Sequence, residues 1–247
     1  MPETHNRRSS ESPRIRVAED RQIESYCAMP IPLILIPGLS ASREVYEPQL
    51  RQFSNAVVPD WPVPLRGETL RMYAERFADQ LSSLRPCILG GMSFGGMLAQ
   101  EMVPFLQPEA LILIATIRGP DELPLYARIG RRFRSLLPYL PIRMVQAMTS
   151  VVELPGIRVM FPLRRVLALQ FRESDPWLFR WSLEQILTWP ESPAVNVPIW
   201  HIHGDRDPIL PHHRTTPSRL VAGGGHVLTL THATEVNQFI DDCQRST

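Results

Sequence analysis

Short runs of apolar residues alternate along the chain with longer segments in which apolar residues recur at every third or fourth position. The runs predict buried strands at 32–39, 55–62, 86–91 and 109–116. The segments 68–84 and 94–106, each lying between two successive runs, have the apolar spacing of amphipathic helices. Alternation of strand and helix is typical of βαβ units, so this half of the chain predicts a parallel sheet with helices on its faces.

The pattern changes between about 117 and 194, where prolines and arginines are frequent and the predicted helical pieces are short. These pieces lie at 126–137, 141–153 and 175–189. Apolar strand patterns return at 197–204 and 218–226, and a closing helix is predicted at 232–243. We therefore expect a flexible N-terminal arm at 1–20 and one α/β domain at 21–247, into which a helical segment is inserted.

Composition narrows the class of protein. A chain of 247 residues with 44% hydrophobic and 21% charged residues can build one large globular core. Its formal net charge of +1 gives no reason to expect a nucleic-acid partner. No apolar run approaches the roughly 18 residues that a membrane span needs. Three widely spaced cysteines and a polar N-terminus without an apolar leader predict a cytoplasmic protein.

The stretch GGMSFGG at 90–96 places one serine between two pairs of glycines, after a predicted strand and before a predicted helix. Glycine is unfavourable inside both kinds of element, so four glycines around one hydroxyl indicate a turn too tight for side chains. A Gly-x-Ser-x-Gly sequence in this context predicts a nucleophile elbow, in which a strained backbone presents the serine outward. Ser93 is therefore the predicted nucleophile, with Gly91 and Gly95 kept small by the turn.

A serine hydroxyl needs a general base, and an acid must orient that base. His226 follows the last predicted strand, on a loop whose glycines at 223–225 would let the chain fold back toward the serine. Asp207 follows the strand at 197–204, and Asp205 is the alternative acid. Nucleophile, acid and base would all lie beyond the carboxyl ends of strands, where open α/β sheets bind ligands.

Four stretches together resemble the α/β-hydrolase fold superfamily, specifically its small cap-bearing esterase-like and thioesterase-like serine hydrolases. They are LILIPGLSAS (33–42), GGMSFGG (90–96), HGDRDPILP (203–211) and GGGH (223–226). The resemblance runs from about residue 32 to the C-terminus. It implies a mostly parallel sheet of about six or seven strands flanked by helices, with a helical cap inserted after the family's sixth strand, at about 117–194.

The resemblance also implies roles for individual residues. The fourth residue of the Gly-x-x-Asp turn, Asp207, would be the triad acid, and the backbone N–H groups of Leu39 and Phe94 would form the oxyanion hole. The chain departs from the family in two places. Pro37-Gly38 stands where the family often has His-Gly, and only 14–17 or 23–28 could supply the strands that usually precede the first one here.

The implied activity is hydrolysis of a carboxylic ester or thioester through an acyl-serine intermediate, without a metal or an organic cofactor. Met92 beside the nucleophile and the cap residues Trp177, Phe179 and Trp181 are expected to wall the substrate pocket. The same triad can serve a carbon–carbon bond hydrolase, a lyase or an acyl transferase. A non-catalytic binding member of the fold is a further alternative.

The charge of the inserted segment raises a separate question about the substrate. Residues 118–180 contain eleven arginines but five acidic residues. A solvated helical face explains this excess most simply. The alternative is that some arginines face the cleft, because guanidinium groups bind carboxylate and phosphate well. The expected partner is a small-molecule ester or thioester, which would then be anionic or attached to a carrier.

Overall fold

The computed structural model describes residues 30–149, 162–191 and 193–247. The side chains of 162–167 are not described. The predicted N-terminal arm at 1–20 and the candidate early strands at 14–17 and 23–28 lie outside the described residues. The same holds for 150–161, which include the end of the helix predicted at 141–153.

Six parallel strands form the sheet at the centre of the domain. They are β1 (Leu33–Ile36), β2 (Ala56–Val57), β3 (Ile88–Met92), β4 (Ala110–Ile114), β5 (Ile199–Gly204) and β6 (Arg219–Val221). Their order across the sheet is β2-β1-β3-β4-β5-β6, and every pairing is parallel. The predicted parallel sheet is confirmed, and its N-terminal half is built by strands that the apolar runs had indicated.

Nine α-helices connect or flank these strands in the described part of the chain. They are α1 (Glu47–Gln52), α2 (Leu70–Gln80), α3 (Phe94–Leu106), α4 (Leu125–Gly130), α5 (Ile142–Met148), α6 (Pro162–Glu173), α7 (Pro176–Thr188), α8 (Leu228–Thr231) and α9 (Ala233–Ser246). Helix α3 has the predicted bounds. The sequence pattern did not indicate α1, α6 or α8, since α1 and α8 are short and α6 carries several arginines among its apolar residues.

Helices α4 to α7 belong to the segment between β4 and β5, which the sequence predicted as a helical insertion. A long 3-10 helix, Arg131–Tyr139, continues from α4 where the sequence predicted one α-helix over 126–137. Pro138 lies within this 3-10 helix. Asp175 caps α7, because its carboxylate accepts hydrogen bonds from the N–H groups of Trp177 and Leu178 at 2.8 Å each.

The sheet buries both of its faces. Along β1, Ile34 and Ile36 face one apolar cluster, whereas Leu33 and Leu35 face the other. The first cluster includes helices α2 and α3, and the second includes α9. Burial on both faces explains why the strands appear in the sequence as continuous apolar runs rather than as alternating ones.

The turn from β3 into α3 leaves no room for side chains at its glycines. A Cβ atom added to Gly91 would lie 2.2 Å from the carbonyl oxygen of Gly95, and one added to Gly95 would lie 2.1 Å from that of Pro37. Both obstacles are backbone atoms, which cannot move aside as a flexible side chain can. The prediction that the tightness of the turn keeps Gly91 small is confirmed, whereas Gly95 is kept small by the backbone at the end of β1.

We expect Gly95→Ala to lower the free energy of unfolding by about 1–3 kcal/mol, the typical cost of overpacking a rigid site. The matched control is Gly130→Ala. Gly130 has a helical backbone, and a Cβ there meets only the side chain of Leu187, at 3.5 Å. Alanine should leave stability unchanged or raise it by up to about 1 kcal/mol at that position. Urea denaturation of the two variants measures both effects, and equal stability would contradict the steric argument.

Candidate active site

Ser93 stands at the junction of β3 and α3 with φ 53° and ψ −124°. This backbone conformation is rare for a residue with a side chain and is typical of strained functional turns. A serine at a helix N-cap usually accepts a hydrogen bond from the first helical turn. Ser93 makes no such bond, and its hydroxyl is turned toward His226 instead.

Hydrogen bonds on both sides hold the strained serine in place. Its N–H donates to the carbonyl oxygen of Ile114 at 3.1 Å, which extends the pairing of β3 with β4 by one residue. Its carbonyl oxygen accepts from the hydroxyl of Thr116 at 2.6 Å and from the N–H of Gly96 at 3.0 Å. The surrounding structure therefore fixes the conformation that the turn imposes.

The structure brings together the three side chains that the sequence predicted for a catalytic triad. Nε2 of His226 lies 2.9 Å from Oγ of Ser93, and Nδ1 of the same ring lies 2.7 Å from Oδ2 of Asp207. These contacts fix the tautomer when the imidazole is neutral. Nδ1 carries the proton and donates to the carboxylate, so Nε2 is free to accept from the serine hydroxyl.

Asp207 is buried and fully hydrogen-bonded. Its Oδ1 accepts from the N–H groups of Ile209 and Leu210 at 2.8 and 2.9 Å. Burial alone would raise the pKa of its carboxyl group, but hydrogen bonds from His203 and His226 outweigh burial and hold that pKa far below its usual range. The carboxylate therefore stays ionised at neutral pH, which is the state that orients an imidazole.

His203 lies beneath the acid on β5. Its Nε2 is 2.7 Å from the carbonyl oxygen of Leu210 and 3.3 Å from Oδ2 of Asp207. Because the Leu210 carbonyl can only accept, Nε2 carries a proton and supports the turn that holds the acid. Burial lowers the pKa of the neighbouring His201 to about 3, so that residue is neutral.

Asp205, the alternative acid, has a different task in this arrangement. Its Oδ1 accepts from the N–H of Gly223 at 2.7 Å. The N–H of Arg206 donates to the carbonyl oxygen of Gly224 at 2.8 Å. These two bonds tie the loop carrying the acid to the loop carrying His226, and Gly223 accommodates the bend with φ 74°. The geometry therefore pairs Asp207, and not Asp205, with the histidine.

The two predicted oxyanion-hole residues come from two different segments of the fold. Phe94 is the first residue of α3, and Leu39 follows Gly38 on the loop after β1. Within the described part of the chain, neither N–H has a hydrogen-bond acceptor. A Cβ added to Gly38 would lie 3.3 Å from Cβ of Ser93, so this loop packs directly against the nucleophile.

A cavity of about 550 Å³ opens at Ser93 and His226. Its wall includes Leu39 and Phe94 from the oxyanion region and Phe179 from α7. Most of the remaining wall is aliphatic or aromatic, contributed by the inserted helices, the elbow and the loop after Asp207. Further apolar members are Met92, Met97, Leu123, Phe171, Leu183, Ile186, Leu187, Ile209, Leu210 and Val227.

Of the expected pocket residues, Met92 and Phe179 line the cavity, whereas Trp177 and Trp181 do not. Nε1 of Trp177 donates to the carbonyl oxygen of Pro64, and Trp181 is buried edge-on against Phe94 at a centroid distance of 6.2 Å. The reason is helical geometry, since residues four apart share a face and residues two apart do not.

Leu183, Ile186 and Leu187 share the cavity face of α7 with Phe179, at spacings of three and four residues. Their spacing in the sequence places them on one face with Phe179, whereas the predicted Trp177 and Trp181 lie on other faces of the helix. Leu39 and Phe94 contribute side chains to the wall as well as the backbone groups predicted from the resemblance.

The described lining of the cavity offers no arginine that would attract an anionic substrate. No arginine, aspartate or glutamate is among the described residues that line it. The described arginines of the long 3-10 helix, Arg131, Arg132 and Arg134, are solvent-exposed. None of the segment's arginines with described side chains lines the cavity at Ser93. All of these arginines are exposed except Arg180, which is half-buried and donates to the carbonyl oxygen of Leu140.

Two other features bear on the class of site. Across 30–149, 162–191 and 193–247, no group of three or more His, Cys, Asp or Glu side chains is arranged to hold a metal ion. None of the helices described here is both long enough and apolar enough to cross a membrane.

Comparison with known proteins agrees with this geometry. The model of the alpha/beta hydrolase family matches residues 33–239, which is most of the chain. The chain belongs to the alpha/beta hydrolase family. The predicted fold class is thereby confirmed for this hydrolase-family protein. Its sequence has no significant match to a curated protein.

Solved structures of similar fold share little sequence with this hydrolase. An esterase from Thermogutta terrifontis has a TM-score of 0.66 and 18% identity over 87% of this chain and 90% of its own. An enol-lactonase from Burkholderia xenovorans has a TM-score of 0.63 and 16% identity over 85% of this chain and 90% of its own. The RedJ thioesterase from Streptomyces coelicolor has a TM-score of 0.55 and 19% identity over 89% of this chain and 87% of its own. At these identities the similarity shows the fold alone.

The lowered pKa of Asp207 predicts how stability depends on pH. In the unfolded chain this carboxyl binds a proton as pH falls through about 4, while in the folded hydrolase it stays ionised. Its stabilising contribution is therefore present above that pH and is lost below it. We expect the stability difference between wild type and Asp207→Asn to shrink by about 1 kcal/mol from pH 6 to pH 3. Urea denaturation at several pH values measures it, and a constant difference would contradict the interpretation.

Proposed function

We propose that this protein is a serine hydrolase that cleaves a carboxylic ester or thioester through an acyl-serine intermediate. The observation that carries the proposal is the continuous set of hydrogen bonds from Asp207 through His226 to Ser93, at the wall of a mostly apolar cavity. Membership of the hydrolase family supports the general class of reaction.

In the first half of the reaction, Oγ of Ser93 attacks the carbonyl carbon while Nε2 of His226 takes the hydroxyl proton. The N–H groups of Leu39 and Phe94 stabilise the oxyanion that forms, and the positive end of the α3 dipole adds to this effect. Collapse of the tetrahedral intermediate breaks the bond to the leaving alcohol or thiol, which receives the proton from His226.

In the second half, water attacks the acyl-serine carbonyl while His226 again accepts a proton. The carboxylic acid leaves, and the proton returns to Ser93. Asp207 remains ionised throughout and stabilises the imidazolium that forms transiently in both halves. No step of this cycle needs a metal or an organic cofactor.

The cavity wall supports an uncharged, apolar acyl group as the substrate of choice. Burial of each methylene group is favourable by roughly 0.8 kcal/mol, so an aliphatic chain gains affinity with each carbon that the cavity can hold. A carboxylate in the same place would lose its hydration without meeting a cation among the described lining residues. The thioester alternative takes support from the RedJ neighbour, whose name describes a thioesterase.

The first test compares wild type with Ser93→Ala on p-nitrophenyl esters of increasing acyl length. We expect turnover by the wild type and a loss of about 10⁴-fold or more in the variant, as removal of a triad member implies. A fluorophosphonate probe should label Ser93 in the wild type only. A wild type that neither hydrolyses these esters nor accepts the probe would refute the proposal.

The second test separates the two acids that the sequence offered. Asp207→Asn should lower kcat by about 10⁴-fold, because the amide cannot hold the imidazole in the required tautomer. Asp205→Asn is the matched control. Its amide oxygen can still accept from the N–H of Gly223, so kcat should stay within about threefold of the wild type. The reverse result would assign the acid role to Asp205.

A further inference from the structure

The segment 125–148, which comprises α4, the long 3-10 helix and α5, exposes many large apolar side chains. Nine of the fifteen such side chains that are exposed among the described residues lie within it. Single exposed apolar side chains are ordinary on a protein surface, whereas a concentration of them marks an interaction site. The arrangement and the charge of this segment indicate what kind of partner it fits.

Along the 3-10 helix the exposed apolar side chains form one row. Residues three apart lie on the same face of a 3-10 helix, and Phe133, Leu136 and Tyr139 have this spacing. Their exposed fractions are 58%, 55% and 82%. Leu137, on a different face, is the residue of this helix that is buried. The apolar row (Phe133, Leu136, Tyr139) therefore points away from the core.

The helices on either side of the 3-10 helix also expose apolar side chains one turn apart. On α4 these are Leu125 and Ile129, and on α5 they are Met144 and Met148. Helix α5 holds on to the core through another face, on which Ile142 is buried. The exposed apolar side chains thus recur through all three elements of the segment.

The charge of the same segment is entirely positive. It contains Arg128, Arg131, Arg132, Arg134 and Arg143 and no aspartate or glutamate, and all five arginines are exposed. On the 3-10 helix, arginines occupy the faces on both sides of the apolar row, with Arg131 and Arg134 on one and Arg132 on the other. The whole chain has a formal net charge of only +1, so positive charge is concentrated here. The partner should therefore be anionic.

Of the partners that could cover an apolar and cationic surface, an anionic lipid bilayer fits best. A second copy of this chain fits poorly, because a symmetric dimer places the same patch on both sides of the interface and brings arginines against arginines. A lipid surface accepts apolar side chains that project singly, and its anionic headgroups attract arginine. Phe and Leu beside basic residues are typical of helices that lie in the membrane interface.

Another side of the same segment faces the candidate active site. Tyr126, Ala127 and Gly130 of α4 line the cavity at Ser93. A helix with its side chains is about 10 Å across, so a bilayer that contacts the exposed side of α4 lies about one helix diameter from the cavity. An apolar substrate dissolved in the lipid would then have a short path to the cavity.

We propose that the segment 125–148 docks this protein onto an anionic lipid surface. The apolar row enters the boundary between headgroups and acyl chains, and the arginines beside it pair with lipid phosphates. This docking is peripheral and reversible. It adds a binding surface to the protein and does not depend on the proposed hydrolysis.

The test is sedimentation of the full chain with sucrose-loaded vesicles, in the absence of substrate. The vesicles contain phosphatidylcholine and phosphatidylglycerol in a ratio of about two to one, which makes their surface anionic. Vesicles of phosphatidylcholine alone are the reference. We expect the partition coefficient onto the anionic vesicles to be at least about tenfold higher at low salt, and to fall as salt screens the arginines.

Two variants separate the apolar and the charged contributions. Phe133→Ser combined with Leu136→Ser should lower the partition coefficient by at least about tenfold, because the apolar row loses its contact with the lipid. Replacement of Arg131, Arg132 and Arg134 together by glutamine should lower it by about a hundredfold at low salt, since each arginine near an anionic surface contributes about fivefold.

The matched control is Val63→Ser combined with Leu65→Ser, which removes two exposed apolar side chains outside the segment. This control should bind the anionic vesicles within about twofold of the wild type, because neither side chain belongs to the docking surface. Urea denaturation verifies that all three variants are folded. Substitution of exposed side chains is expected to change the free energy of unfolding by no more than about 0.5 kcal/mol per site.

Three results would overturn lipid docking. The first is no sedimentation of the wild type with anionic vesicles, and the second is an equal loss in the control and in the variants of the segment. The third is a dimer in analytical ultracentrifugation that Phe133→Ser with Leu136→Ser abolishes, without vesicle binding, which would assign the surface to a second copy of the chain.

Docking and hydrolysis fail separately in this design. Ser93→Ala should sediment with the anionic vesicles as the wild type does, because the nucleophile is not part of the docking surface. Loss of esterase activity with intact sedimentation concerns the proposed reaction alone, and loss of sedimentation with intact activity on soluble esters refutes the docking alone.

Discussion

The close approach of two backbone segments at the elbow is the constraint on which the site depends. Helix α3 begins so near the end of β1 that only hydrogen fits between Gly95 and the carbonyl oxygen of Pro37. The turn from β3 into α3 presents Ser93 to His226, and the loop after β1 packs against the nucleophile. It also forces Ser93 into a positive-φ conformation, which the pairing of β3 with β4 then stabilises.

A second set of contacts, beyond the carboxyl ends of β5 and β6, holds the acid and the base. Asp205 and Arg206 bind the loop that carries His226, and His203 supports the turn that carries Asp207. The lateral distance between β3 and β5 is set by β4, which lies between them. The triad therefore combines three separately supported side chains whose relative position comes from the sheet.

The inserted segment determines what can reach that triad. One face of α7 closes the apolar cavity, while Trp181 on another face packs against Phe94 and so connects the inserted segment to the elbow. Tyr126 donates a hydrogen bond to the carbonyl oxygen of Ile209, two residues after the acid. The inserted helices thus contact both the elbow and the turn that carries the acid, and their side chains supply much of the apolar cavity wall.

The sequence by itself determined the parallel sheet, the elbow, the nucleophile Ser93 and the base His226, because local patterns mark each of them. Apolar runs mark doubly buried strands, and glycines around Ser93 mark a turn without room for side chains. Tertiary structure alone decided which aspartate faces His226 and which face of α7 lines the cavity. Such choices depend on contacts between residues far apart in the chain, and composition and spacing do not encode them.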